Sequence, residues 1–195
     1  MWAMVKSGQV TAIYPRPKAI TVDGIQHPAT IFGRWSAAEL KAIGIYEYTE
    51  VNANPDGRFY MQGNGSTAVD DDKGIVTVTY SNVARGLNDV TEDGITTPGV
   101  KSNLKRNVKL QAASQLQSSD WMAIRAAEGG TAVPSDIKTY RAAVRTKSNS
   151  METSITDASD TAALIALDTT TYHANGAINA VATLQDWPEV PDALK

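Results

Sequence analysis

An α+β fold is what the chain's patterning predicts: a strand-rich N-terminal unit of hairpins, then a helical unit, then a short C-terminal hairpin and extended tail. Three observations carry it. Two-residue turn signals recur between short alternating segments over the first ninety residues. From Val100 onward the apolar residues fall at helical spacing. Near the end Asn175-Gly176 marks one more hairpin, and the two prolines of Trp187-Pro188-Glu189-Val190-Pro191 exclude regular structure. With 195 residues, 42% hydrophobic and 20% charged, the chain is long enough for one domain or two small ones with a core. The units read as 1–92, 100–168 and 169–195.

In chain order, Trp2 to Val5 and Val10 to Tyr14 flank Ser7-Gly8 as a hairpin, and Pro15 and Pro17 stop its second strand. Ile20 to Val22 and Ile25 to His27 bracket Asp23-Gly24, whose residues both tolerate positive φ, so a second hairpin is expected. Ser36-Ala37-Ala38-Glu39 is a capping box opening a short helix with Leu40 and Ile43 on its apolar side, ended by Gly44. Ile45 to Val51 and Arg58 to Gln62 around Asn54-Pro55-Asp56-Gly57 read as a third hairpin. Gly63 to Lys73 reads as a loop, and Ile75 to Tyr80 as a further strand. Asp93 to Gly99 reads as a connector. In the helix that follows, Val100, Leu104, Val108, Ala112 and Leu116 form a stripe that Leu110 and Ala113 widen. Ser118-Ser119-Asp120, three N-cap types, predicts a break before a second short helix holding Trp121, Ile124 and Arg125, closed by Gly129-Gly130. Pro134 suits a first helical position, and Ile137, Tyr140, Val144, Met151 and Ile155 mark one face of a helix of about 20 residues whose other face carries Lys138, Arg141, Arg145 and Lys147. Ala162 to Leu167 is a short helical segment. No long repeat and no low-complexity tract is present.

The formal charge of −3 is unevenly distributed. Residues 100–147 carry 9 basic and 3 acidic side chains, and residues 148–195 carry 1 basic and 7 acidic, so a +6 block precedes a −6 block. The simplest reading is mutual attraction of basic helix faces and an acidic C-terminal segment within one fold; the alternative is an acidic partner. Nucleic acid is not expected as a partner, because the basic residues are not interleaved with a stacking platform of aromatics. No stretch reaches the roughly 18 consecutive apolar residues of a membrane helix, and the opening lacks the apolar run of a signal peptide, so a soluble chain without a membrane partner is expected.

Catalytic chemistry has little to build on. The chain has no Cys and only His27 and His173, neither in a metal-ligand spacing, and no Gly-x-Ser-x-Gly elbow occurs. Asp70-Asp71-Asp72 lacks the rhythm of a calcium loop and reads as a solvated turn, and Gly63-Asn64-Gly65-Ser66 lacks the Lys and helix of a phosphate loop. No enzyme activity, cofactor or metal is expected. Two aromatic–Arg groupings remain as candidate partner-binding residues: Trp121 with Arg125, and Tyr140 with Arg141 and Arg145. The plainer reading of the first is that Trp121 packs under the helix junction while Arg125 caps or bridges locally.

The block Ala113-x-x-Leu116-x-x-x-Asp120-Trp121-Met122-x-Ile124-Arg125-x-x-Glu128, followed by Val133-Pro134-x-Asp136-x-x-x-Tyr140-Arg141-x-x-Val144-Arg145 and a closing Trp187-Pro188, resembles the short helical module of small tail proteins of tailed bacteriophages. These are tail-fibre-assembly and tail-assembly-chaperone-like proteins and related tail-fibre accessory or virion proteins. The segment from Ile20 to Pro28, with Ile31-Phe32 and Trp35 to Ile45, looks like the N-terminal part of the same kind of protein. The two patches span about half the chain, and no catalytic motif accompanies them. The resemblance implies a non-enzymatic virion component, made in the host cytoplasm and residing in the tail, that connects or decorates tail or tail-fibre parts. Its expected partners are phage tail or tail-fibre proteins, with self-association left open. The alternatives are a transient tail-fibre assembly chaperone and, below that, a carbohydrate-binding module for host recognition.

Overall fold

The computed structural model describes all 195 residues. It is an α+β chain that divides into two compact units, Met1–Val83 and Ala84–Lys195.

In the first unit Trp2–Lys6 (β1) and Gln9–Tyr14 (β2) pair antiparallel around Ser7 and Gly8, which both hold positive φ as this turn requires. Ile20–Val22 (β3) and Ile25–His27 (β4) form the second expected hairpin around Asp23-Gly24. A single helical turn, Ile31–Arg34 (α1), buries Ile31 and Phe32. Ala37–Ala42 (α2) follows, and its capping box is formed: Glu39 N–H donates to Ser36 Oγ at 3.3 Å, and Ser36 N–H donates to Glu39 Oε2 at 2.7 Å. Gly44, at φ +77°, then lets the chain pass so close to β1 that a Cβ there would sit 2.8 Å from the Val5 carbonyl oxygen, which no side chain permits.

Ile45–Val51 (β5), Tyr60–Asp70 (β6) and Ile75–Ala84 (β7) complete a five-stranded sheet of order β2-β1-β5-β7-β6. The expected hairpin between 45–51 and 58–62 does not form. β5 pairs with β1 on one side and, in parallel, with β7 on the other. The reason lies in burial: Val76 and Val78 are buried and suit an inner strand, whereas Gly63-Asn64-Gly65-Ser66 suits an edge. The Pro-Asp-Gly segment makes a local turn instead, in which Asp56 accepts from Arg58 N–H, and it delivers Phe59 into the core at 1% exposure. The expected loop 63–73 is likewise corrected. It is strand as far as Asp70, and its glycines are used for close approach to the neighbouring strand, since a Cβ at Gly65 would lie 2.9 Å from Val78.

The sheet's alternation separates two clusters. Met4, Tyr14, Phe32, Leu40 and Ile45 pack with β3 and the two helices on one face. Ala3, Val5, Tyr46, Tyr48, Val76 and Val78 gather on the other.

The second unit begins with a hairpin where a connector was expected. Val90–Glu92 (β8) and Ile95–Thr97 (β9) pair around Asp93-Gly94, both at positive φ. The segment Val90-Thr91-Glu92-Asp93-Gly94-Ile95-Thr96-Thr97-Pro98 repeats the pattern of Ile20-Thr21-Val22-Asp23-Gly24-Ile25-Gln26-His27-Pro28, with the same pairing register. Each copy leads into a helix.

Val100–Ala127 (α3) is continuous over 28 residues, so the expected break at Ser118-Ser119-Asp120 is absent. Two of the three side chains are engaged elsewhere: Ser119 Oγ donates back to the Leu116 carbonyl at 2.9 Å, and Ser119 and Asp120 both bond Arg141. Ser135–Asp157 (α4) packs against α3 and buries Ile137, Tyr140, Val144, Met151 and Ile155 as expected, with Pro134 standing one position before the helix rather than within it. Thr161–Asp168 (α5) is capped by Asp160, which accepts from Ala163 N–H at 2.8 Å. Thr171–Tyr172 (β10) and Ile178–Ala180 (β11) form the C-terminal hairpin. The tail beyond it is not extended as expected: it makes two 3-10 turns, Thr183–Gln185 and Asp192–Leu194, and packs Trp187, Val190 and Leu194 against Ala112, Tyr140 and Val144.

Candidate interaction surface

The α3–α4 pair holds all five candidate residues and sorts them into three environments. Arg141, expected on the exposed face of α4, is 8% exposed and clasps α3 instead. One terminal nitrogen donates to the Leu116 carbonyl at 3.0 Å and to Ser119 Oγ at 2.6 Å, and the other to Asp120 Oδ1 at 2.8 Å. Such a planar fork satisfies three acceptors at once, which is why the cation tolerates burial. Tyr140, also buried, donates its hydroxyl to Gln115 Oε1 at 2.6 Å, and loss of water around the phenol raises its pKa. Tyr140 and Arg141 are therefore fasteners between the helices. Arg145, expected to group with them, is exposed and bonds neither.

Trp121 does not pack under a helix junction. Its ring is 53% exposed and the Arg125 guanidinium lies 4.7 Å from its centroid, a cation–π stack on the surface of a continuous helix. The Arg125 Nε is buried in this arrangement and has no hydrogen-bond partner. One turn along, Ile124 is 59% exposed, and Leu110, expected in the buried stripe, is 63% exposed. Ala113 is exposed too. These residues lie on the side of α3 opposite the one buried against α4, where Leu104, Val108, Ala112 and Ser119 are found. Leu110 stands outside the buried stripe, and Ile124, expected in a separate second helix, continues the same outer face because α3 is unbroken. The heptad recurrence 103, 110, 117, 124, which reads Asn, Leu, Gln, Ile, is the signal that would have separated the two faces.

The opposed charge blocks meet at two ion pairs within this unit, Lys109–Glu152 at 3.3 Å and Lys147–Asp186. Trp187 Nε1–H donates to Gln111 Oε1 at 3.1 Å and fixes the tail to α3.

Elsewhere the polar groups serve local structure. His27 packs edge-on against Trp35, with ring centroids 5.4 Å apart, and His173 donates its backbone N–H to Ala177 in the last hairpin turn. Asp70 accepts from Lys73 N–H, and Asp71 accepts from the Tyr46 hydroxyl. No three His, Asp or Glu side chains converge as metal ligands would, and no helix is long and apolar enough to cross a membrane. No protein-family model, curated protein or solved structure matches the chain.

Proposed function

We propose that the chain is a non-enzymatic bacteriophage tail protein, a virion structural component that connects or decorates tail or tail-fibre parts through protein–protein contacts. One observation supports a contact role above all. The segment carrying the resemblance to phage tail proteins also carries an exposed aromatic and aliphatic surface, Trp121 with Ile124 and the stacked Arg125, that the fold of the unit does not use. Trp and Arg are the side chains most enriched where binding energy concentrates, and an exposed indole with a cation on its face is already positioned for burial by a partner. The other residues of that segment, Asp120, Tyr140 and Arg141, keep the two helices in register so that the surface is presented rigidly.

Mass spectrometry of purified mature particles tests the role. Stoichiometric presence of the chain is the expected result. Its presence only in lysate of infected cells would replace the structural role with that of a transient tail-fibre assembly chaperone.

A further inference from the structure

We propose that the outer face of α3 is an isologous interface between two copies of this chain, paired antiparallel about a two-fold axis at Gln117. The proposal rests on reading that face as a contact surface and names its occupant; it does not depend on the assignment to a phage tail.

At 3.6 residues per turn, Arg106, Leu110, Ala113, Gln117, Trp121 and Ile124 fall within an arc of about 80° on α3, and Glu128 at its C-terminal cap continues the line. All seven are exposed. The stripe runs over about 33 Å of helix at 1.5 Å per residue. Its order is symmetric in chemistry about Gln117. Rotating one copy by two-fold symmetry at that residue sets Arg106 opposite Glu128, Leu110 opposite Ile124 and Ala113 opposite Trp121, each pair occurring twice. Opposite charges close both ends, two aliphatic side chains meet in the intermediate layers, and the smallest side chain receives the largest.

A parallel pairing in register does the reverse. It places Arg106 on Arg106, Glu128 on Glu128 and Trp121 on Trp121, so like charges oppose association at both ends. Both charges are available. Arg106 bonds only the Asn103 side-chain oxygen, at 3.0 Å, and Glu128 makes no ion pair. An unrelated partner has no reason to match a pattern that is complementary to itself.

Sedimentation equilibrium of the full chain is the first test, with a dimer as the expected result. Arg106→Glu and Glu128→Arg should each weaken the dimer about tenfold or more by opposing like charges, and the double swap should restore it. Because the chain has no cysteine, single thiols report the register directly. With oxidised glutathione, Gln117→Cys should yield a disulfide-linked dimer, Leu110→Cys alone should not, and an equimolar mixture of Leu110→Cys and Ile124→Cys should yield the mixed dimer. Circular dichroism of each variant checks that the helices persist. A chain monomeric to about 100 μM, a dimer indifferent to both charge reversals, or cross-linking of Leu110→Cys with itself would overturn the proposal. A monomer still present in mature particles would leave the tail assignment standing, with a different occupant for the face.

Discussion

Helices α3 and α4 share one interface but turn different surfaces outward. Beyond its buried side, α4 shows Lys138, Thr139, Arg145, Thr146, Asn149 and Ser150 to solvent, the polar back of an amphipathic helix whose apolar side is covered by α3, α5 and the C-terminal tail. Beyond its buried side, α3 shows Leu110, Ala113, Trp121 and Ile124. A helix with apolar side chains on two opposite faces has amphipathicity that partly cancels, and the outer set, here interspersed with Arg106, Gln117 and Glu128, is surface suited to a second partner. The fold supplies the first, in α4. The contrast separates residues that make the unit from residues left over for contact.

The largest effect that would sharpen this contrast comes from placing the same charge on the two sides. Val144→Asp puts a carboxylate at a position with no exposure and should unfold the second unit, at a cost of several kcal/mol. Ile124→Asp should leave unfolding of the dilute monomer within about 0.5 kcal/mol of the parent. Urea denaturation followed by circular dichroism measures both, and equal losses would erase the distinction between the faces.

Next in size is Arg141→Met, expected to cost about 1–3 kcal/mol through three hydrogen bonds lost at a buried position. Arg141→Lys should not rescue it, because one ammonium cannot reach Leu116, Ser119 and Asp120 together. Rescue by Lys would mean that charge alone fastens the helices. In the tail, Trp187→Ala should lower stability more than Asp186→Asn, since Trp187 packs on the helix pair whereas the Lys147–Asp186 pair is half-exposed and worth ~0–1 kcal/mol. The tail's contribution should accordingly change little with salt; a strong salt dependence would return the opposed charge blocks to the leading role.

The smallest effect is at alkaline pH. The Tyr140 phenol has its pKa raised in the folded chain by loss of water. Its contribution to stability is therefore complete below the unfolded phenol's pKa of about 10 and declines as pH rises above it towards the folded value. Ultraviolet titration should find Tyr140 ionising above the ordinary phenol range, as Tyr46 and Tyr48 also should, and the component lost in Tyr140→Phe is the one assigned to it.

Legibility in the sequence followed the range of the interaction. Ser7-Gly8, Asp23-Gly24 and the Ser36 capping box act over two to four residues and were readable as such. The same rule applied to Asp93-Gly94 would have found β8–β9, but the chain there reads as a connector because Thr and Pro crowd around the turn. The parallel pairing of β5 with β7 was not readable, since it depends on which strand lies inside the sheet and which at its edge, and a nearby Pro-Asp-Gly turn competed for the assignment. In the candidate surface, Trp121 and Arg125 were visible as a pair. Their exposure was hidden by the three cap-type residues at 118–120, of which Ser119 and Asp120 are bonded to Arg141, a contact across 21 or more positions.

That α3 needs a partner on both faces is tested most directly by the concentration dependence of thermal unfolding. If a second copy covers the outer face, the melting temperature of the second unit should rise with protein concentration in the parent chain and stay constant in Ile124→Asp, because association stabilises only the folded state that presents the stripe. A parent melting temperature that does not change with concentration would contradict it.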